Sequence, residues 1–120
     1  MKPGCVNIAT AKIIEMRDFY SLVLNAPYSE RNALRYEIHV DNVCIVVSST
    51  VIKTPVNPDC CGLEFDVDYV DAEYERLCAA GLDIEKPPVT LPWKYRYFAV
   101  KDPDGNNIDF VQYVGDSELA

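Results

Sequence analysis

The sequence has few basic residues and only one histidine. Its 11 lysines and arginines stand against 19 aspartates and glutamates, which gives a formal net charge of −8 at pH 7. Nucleic-acid binding depends on clusters of basic residues that replace the counterions of the phosphates, and no stretch of the chain forms such a cluster. We therefore expect no nucleic acid as a partner. An acidic chain fits either simple solubility or a site for a cationic ligand.

Long apolar runs are missing as well. No apolar segment approaches the roughly 18 to 20 residues that cross a bilayer. The first residues lead directly into a strand-like segment, without the apolar stretch and small-residue cleavage site of a secretory signal. We therefore expect a cytoplasmic protein with no membrane partner. A chain of 120 residues that is 49% hydrophobic is long enough to form one domain with its own core.

The cysteines form no recognisable framework. There are five, which is an odd number, Cys60 and Cys61 are adjacent, and no CxxC pair occurs. This spacing is a poor match to a disulfide scaffold and to a zinc finger. The sequence predicts free thiols.

Hydrophobic periodicity divides the first half into a strand, a helix and a hairpin. Residues 5–10 alternate as in a strand, and apolar residues from 13 onward recur at helical spacing until Pro27 ends the helix. Residues 34–40 and 43–49 are rich in β-branched and apolar side chains, and two polar residues join them, which predicts a hairpin. The segment at about 51–61 contains two prolines and shows no hydrophobic periodicity, so we interpret it as a linker.

The second half repeats this order. Residues 63–67 predict a strand, Asp68 is the expected cap of a helix that ends at Gly81, and two strands flank a turn at 102–106. The predicted buried helix face consists of Val70, Tyr74, Leu77 and Cys78. The expected fold is a single α+β domain over 1–120 with two βαβββ modules, at about 5–50 and 62–114. Their antiparallel sheets are expected to form a cup-shaped, incompletely closed barrel with the helices outside.

Three motifs carry a family resemblance. Phe19-Tyr20 is followed by Leu24, residues 63–72 read LEFDVDYVDA, and residues 93–112 read WKYRYFAVKDPDGNNIDFVQ, with a W-x-x-R strand and a DPDGN turn. From Cys5 to Gln112 the chain resembles the glyoxalase / bleomycin-resistance / dioxygenase (vicinal oxygen chelate) superfamily, with Asn25 in place of a usual glycine. The resemblance implies a small-molecule ligand and a homodimer.

The resemblance also implies where a metal would bind. Metal-using members typically supply His, Glu, His and Glu from the first and last strands of the two halves, and the corresponding residues here are Cys5, Cys44, Gly62 and Asp109. Glycine has no ligand atom, and hard divalent ions prefer oxygen and imidazole ligands. We therefore expect no metal cofactor. The alternative is a zinc or iron site formed by Cys5, Cys44 and Asp109, in a glyoxalase-type lyase, isomerase or dioxygenase.

Strand alternation predicts which polar residues face the cup. Apolar positions must face the helices, so the alternate set faces the other way. This set, together with Arg96, gives an acid-rich group of expected ligand-binding residues: Arg35, Glu37, His39, Glu64, Asp66, Arg96 and Asp109. Exposure of the same residues to water is the alternative for each strand. Trp93, with Tyr95 and Tyr97, suits stacking on a flat or cationic ligand, and core or dimer-interface filling is the alternative.

His39 is the only histidine and the only candidate catalytic residue. It is a candidate general base beside Glu37 or Asp109, whereas a lone histidine on a strand is more often a polar surface residue. Three functional classes follow. The first is a metal-free module that binds or sequesters a small molecule, as the resemblance to bleomycin resistance proteins implies. The second is the altered-metal enzyme, and the third is a dimeric accessory or interaction domain.

Overall fold

The structure is a computed structural model that describes residues 1–2, 4–51 and 62–115. These residues form two four-stranded sheets, each with one helix, and neither sheet closes into a barrel within the described part of the chain. This confirms the predicted α+β class. Of the predicted linker at 51–61, only Val51 lies within the described residues. Within the described ranges, no helix has the length and apolar character needed to cross a membrane.

The chain divides into two compact units. The first unit is Met1–Val56 together with Asp102–Asp104, and the second is Asn57–Lys101 together with Gly105–Ala120. The short segment Asp102–Asp104 comes from the turn between the last two strands. It nevertheless belongs to the first unit, although both strands that it connects belong to the second.

The first unit has a mixed sheet with the strand order β1-β4-β3-β2. The elements are β1 (Val6–Thr10), α1 (Ile13–Val23), β2 (Tyr28–Asn32), β3 (Arg35–Val40) and β4 (Val43–Ser49). β1 runs parallel to β4, whereas β3 pairs antiparallel with β4 and with β2. The predicted hairpin is thus β3 and β4, and its turn residue Asp41 has a positive φ of 52°.

Helix α1 covers one face of this sheet. Its buried residues Met16, Tyr20 and Val23 follow the predicted helical spacing. In the sheet, the buried residues Tyr36 and Ile38 of β3 lie opposite Val47 and Ile45 of β4, so these pairs share the face toward the helix. Leu24 is the C-cap residue of this helix, and the next residue, Asn25, has a φ of 51°. Asn25 therefore adopts the left-handed conformation for which glycine is the usual residue.

The second unit repeats the topology with the order β5-β8-β7-β6. Its elements are β5 (Gly62–Asp66), α2 (Val70–Ala79), β6 (Val89–Thr90), β7 (Tyr95–Lys101) and β8 (Asn107–Tyr113). β5 is parallel to β8, and β7 is antiparallel to both β8 and β6. Phe98 and Phe110 lie opposite each other, with stacked rings 5.1 Å apart, and Phe98 also contacts Tyr74 of α2. This face therefore holds the core of the unit.

Helix α2 departs from its predicted start and buried face. Its N-cap residue is Tyr69 rather than Asp68, and it forms no side-chain capping bond. The side chain of Gln112 instead accepts the backbone N–H of Val70 at 2.9 Å, so β8 supplies what a capping residue would have supplied. Val70 and Leu77 are buried as predicted, whereas Cys78 is exposed because it lies at the edge of the apolar stripe in the last turn.

Periodicity did not reveal two of the strands. β2 and β6 are the edge strands of their sheets. All five residues of β2 are exposed, and β6 has only two residues. An edge strand without a buried face has no alternation of apolar and polar residues to detect. Backbone pairing with the neighbouring strand defines both elements.

Candidate functional site

The second unit contains an open cavity of about 560 Å³ on the sheet face opposite α2. Eight residues line it: Glu64, Asp66, Leu91, Trp93, Tyr95, Tyr97, Asp109 and Val111. Three are carboxylates and three are aromatic. A volume of this size lies within the range of small-molecule sites, which is about 300 to 1,000 Å³.

Strand register explains why these side chains meet. Glu64 of β5 lies opposite Asp109 of β8, and Asp66 lies opposite Val111, which also pairs with Tyr97 of β7. Directly opposed residues project from the same face of a sheet. The residues between them, among them the stacked Phe65 and Phe110, pack on the other face. The apolar residues that form the core thus direct the acidic ones into the cavity.

A tight turn before β7 places the aromatic residues. The backbone N–H of Lys94 donates to the carbonyl of Leu91 at 3.0 Å, and the N–H of Leu91 donates to the carbonyl of Tyr95 at 2.7 Å. Lys94 has a φ of 72°, a left-handed conformation in which a lysine is strained. Trp93 within this turn is 64% exposed. It therefore offers a largely solvent-accessible ring face at the cavity.

The cavity has a single sign of charge. Glu64, Asp66 and Asp109 supply carboxylates, and the described residues that line it include no lysine or arginine. Asn107 donates a side-chain hydrogen bond to Oδ1 of Asp109 at 3.0 Å, which orients that carboxylate. Three carboxylates beside aromatic rings attract a cation and disfavour an anion.

Arg96, which we expected among these acidic residues, lies on the opposite face of β7. Its guanidinium donates to both carboxylate oxygens of Asp71 on α2, at 2.9 Å each, and to the Thr90 hydroxyl at 3.1 Å. Strand alternation accounts for this position, because it puts Arg96 on the same face as the core residue Phe98. Asp71 also raises the pKa of Arg96, so this guanidinium is a charged structural link between sheet and helix.

The expected residues of the first half form a cluster within the first unit. Glu37 and His39 of β3 alternate with the buried residues Tyr36 and Ile38 and project from the face opposite α1. One oxygen of Glu37, Oε2, contacts Arg31 at 3.2 Å and Arg35 at 3.4 Å. The other, Oε1, lies 3.6 Å from Nε2 of His39.

Cys44 completes this cluster. It lies opposite His39 in the antiparallel register, with its sulfur 4.0 Å from Nε2 of the imidazole. Donor atoms of Glu37, His39 and Cys44 all lie within 4.8 Å of one another. Burial raises the pKa of the Cys44 thiol, and the negative charge of Glu37 raises it further. Sequence reasoning offered Glu37 as one of two neighbours for His39, but it did not add Cys44 to them, and it missed Arg31, which lies on an exposed edge strand.

The residues at the family's ligand positions do not match a hard-metal site. Cys5 and Cys44 offer sulfur, and Gly62 offers no side chain. A β-carbon at Gly62 would lie 3.0 Å from the backbone oxygen of Asn107, so the backbone itself approaches closely there. Asp109 is the one carboxylate of the set, whereas Mg²⁺, Mn²⁺ and Fe²⁺ favour oxygen and imidazole donors. The set therefore does not fit a hard ion.

Comparison with known proteins assigns the family. The sequence profile of the glyoxalase/bleomycin resistance protein/dioxygenase superfamily matches residues 2–110. The chain belongs to this superfamily. Among curated proteins, no sequence matches the chain.

Several solved structures of the superfamily share the fold. A glyoxalase/bleomycin resistance protein/dioxygenase from Nocardioides is 18% identical, with a TM-score of 0.72 over 100% of this chain and 89% of that one. A genomically encoded fosfomycin resistance protein from Listeria monocytogenes is 14% identical, with a TM-score of 0.76 over 93% of each chain. A family enzyme from Burkholderia phytofirmans is 22% identical, with a TM-score of 0.73 over 90% and 95%. At these identities the likeness concerns the fold alone.

Proposed function

We propose that this superfamily member is a small-molecule-binding module whose second unit holds a flat, cationic ligand without a metal. The observation that carries the proposal is the composition of the cavity, in which Glu64, Asp66 and Asp109 face the same space as Trp93, Tyr95 and Tyr97. Carboxylates neutralise a cation, and aromatic rings bind both its flat face and its charge. Sequestration of such a molecule requires binding alone.

The magnitudes favour a charged ligand over a neutral one. A carboxylate about 5 Å from a ligand cation contributes between roughly 1 and 3 kcal/mol, depending on how far water screens the pair. Stacking of the cation on an aromatic ring adds about 0.5 to 2 kcal/mol. A neutral ligand would gain only the stacking and the burial of apolar surface. The cavity should therefore discriminate by charge as much as by shape.

The direct test is titration of the protein with 9-aminoacridine, a planar cation, and with 9-anthracenecarboxylate, a planar anion of similar size. Trp93 is the only tryptophan, so its fluorescence reports on the cavity. Calorimetry gives the affinity independently. Saturable binding of the cation and at least 10-fold weaker binding of the anion are expected. Equal affinity for both, or no binding of either, would refute the proposal.

Matched variants locate the binding. Asp109→Asn removes one negative charge from the cavity, and Glu75→Gln removes one from an exposed position on α2. Loss of one partner carboxylate should weaken cation binding by about 5- to 160-fold, following the 1 to 3 kcal/mol above. Glu75→Gln should leave the affinity unchanged, because it only alters the net charge. An equal effect of both variants would mean that the cation responds to total charge and not to the cavity.

A homodimer stays part of the proposal, because the superfamily resemblance implies it. Light scattering across the concentrations used for titration gives the mass in solution. A mass near twice that of the 120-residue chain is expected, and a monomeric mass at all concentrations would contradict it.

A further inference from the structure

We propose a second site, a thiolate-containing zinc site in the first unit, formed by Cys5, Cys44, His39 and Glu37. It shares no residue with the ligand-binding proposal, since all four residues belong to the first unit and the cavity residues to the second. Only Cys5 and Cys44 coincide with the family's ligand positions. His39 and Glu37 come from β3, a strand that contributes no ligand to the typical family set.

Sheet register brings the four side chains together. His39 lies directly opposite Cys44 in the antiparallel β3–β4 pair. The parallel β1–β4 pair begins at Val6 opposite Ile45, so the preceding residue, Cys5, lies beside Cys44. Ser48 donates to Oδ1 of Asn7 at 2.9 Å, which shows that the side chains of β1 at this parity share a face with Ser48 and Cys44. His39 and Cys44 thus lie in one row across β3 and β4, and the register places Cys5 in the same row immediately before β1.

Three of the four donors already lie near one another, since the ligand atoms of Glu37, His39 and Cys44 are all within 4.8 Å. Zinc bonds of about 2.3 Å to sulfur and 2.0 to 2.2 Å to nitrogen or oxygen place neighbouring donors roughly 3.3 to 3.6 Å apart. Here the His39 nitrogen lies 3.6 Å from Glu37 Oε1 and 4.0 Å from the Cys44 sulfur. For these two pairs a shift of a few tenths of an ångström closes the difference, and side-chain rotation of Cys5 would bring its sulfur to the ion as the fourth donor. His39 is largely exposed and has room for this adjustment.

The two oxygens of Glu37 have separate partners. Arg31 and Arg35 contact Oε2, and Oε1 faces His39. A ligand carboxylate is commonly held in this way by groups outside the coordination sphere, which fix its orientation. The charges of the site are also balanced. Two thiolates and one carboxylate carry more negative charge than Zn²⁺ neutralises, and Arg31 and Arg35 offset the excess. Sulfur and imidazole donors select a borderline-soft ion such as zinc over magnesium or calcium.

Cobalt titration of the reduced, chelator-treated full chain tests this site. Co²⁺ bound by thiolates gives a sulfur-to-metal absorption band in the near ultraviolet, and zinc should displace it at one ion per chain. His39→Ala and Cys44→Ser should each lower the zinc affinity by at least about 100-fold, the upper end of what loss of an outer-sphere partner costs. His39 is exposed, so its variant tests the site even if Cys44→Ser does not fold.

Control variants separate this site from other thiols and from the family set. Cys78→Ser removes an exposed thiol of the second unit and should leave the cobalt spectrum unchanged. Asp109→Asn should also leave it unchanged, because Asp109 is not one of the four proposed ligands. The proposal is overturned if the wild type gives no thiolate band. It is also overturned if Asp109→Asn abolishes the band, or if a Cys60→Ser/Cys61→Ser variant loses it while Cys44→Ser keeps it.

Discussion

The hydroxyl of Tyr20 donates a 2.6 Å hydrogen bond to the carboxylate of Asp102, 82 residues further along the chain. Tyr20 is fully buried in α1, and Asp102 is 4% exposed in the turn that joins β7 and β8. Oδ1 of Asp102 also accepts the N–H of Asp104 at 2.9 Å, and Lys12 donates to the carbonyl of Pro103 at 3.0 Å. These bonds to α1 and to Lys12 explain why the segment Asp102–Asp104 belongs to the first unit.

Tyr20→Phe should destabilise the protein by about 1.5 to 3 kcal/mol, the usual contribution of a hydrogen bond to a charged group. The ring stays in the core, so the change isolates the hydroxyl. Urea unfolding measures the free energy, and Tyr69→Phe, which alters an exposed tyrosine, serves as the control. Equal stability of the Tyr20 variant and the wild type would mean that the bond contributes nothing.

The buried Tyr20 hydroxyl should also make the free energy of unfolding decrease at alkaline pH. Burial raises the pKa of Tyr20 above its ordinary value, and the bond to Asp102 raises it further. The unfolded chain therefore loses this proton first, so the contribution of Tyr20 is complete below about pH 10 and is lost as the pH rises above it. Urea unfolding at several pH values should show a steeper decline in the wild type than in Tyr20→Phe. Parallel declines would exclude Tyr20 as the source.

Arg96→Ala should lower stability without changing ligand binding, because Arg96 bonds to Asp71 and Thr90 on the face away from the cavity. Asp71 is 45% exposed, so solvent screening limits the expected loss to about 1 kcal/mol. Arg96→Lys should recover only part of it, since a lysine cannot form the two-pronged contact. Thermal unfolding and 9-aminoacridine titration measure the two effects. A large loss of affinity in a folded variant would return Arg96 to the ligand site.

Binding of 9-aminoacridine should weaken as salt is added. Raising the ionic strength from about 0.1 to 1 M shortens the screening length from about 10 to 3 Å. The open cavity leaves its carboxylates accessible to this screening, so the affinity should fall several-fold. The Asp109→Asn variant should show a shallower salt dependence than the wild type. An affinity that does not vary with salt would assign binding to stacking alone.

Asn25 offers a test of backbone conformation. Its φ of 51° lies in the left-handed region, where a side chain without local hydrogen bonding costs roughly 1 to 2 kcal/mol relative to glycine. Asn25→Gly should therefore differ little from the wild type, whereas Asn25→Ala should be less stable by about 1 kcal/mol. Chemical unfolding of the pair measures the difference. Equal stability of the two variants would show that the residue after α1 does not hold this conformation in solution.

The local pattern of apolar and polar residues was sufficient to predict the helices and strands that bury one face. The spacing of Met16, Tyr20 and Val23 predicts α1, and the alternation around Phe110 predicts β8, because burial imposes the period of the element on the sequence. The same alternation places Glu64, Asp66 and Asp109 on the cavity face. Arg96 was added to that set without support from the alternation, and it lies on the face with Phe98.

The sequence by itself determined the repeated strand and helix order, the superfamily resemblance and the side of each strand that carries acidic residues. Only the tertiary structure decided which of these residues meet. The cavity unites residues of β5, β8 and the turn before β7, and the Glu37–His39–Cys44 cluster depends on the register between β3 and β4. Register and turn geometry arise from pairing between distant segments, and no local window of the sequence contains that information.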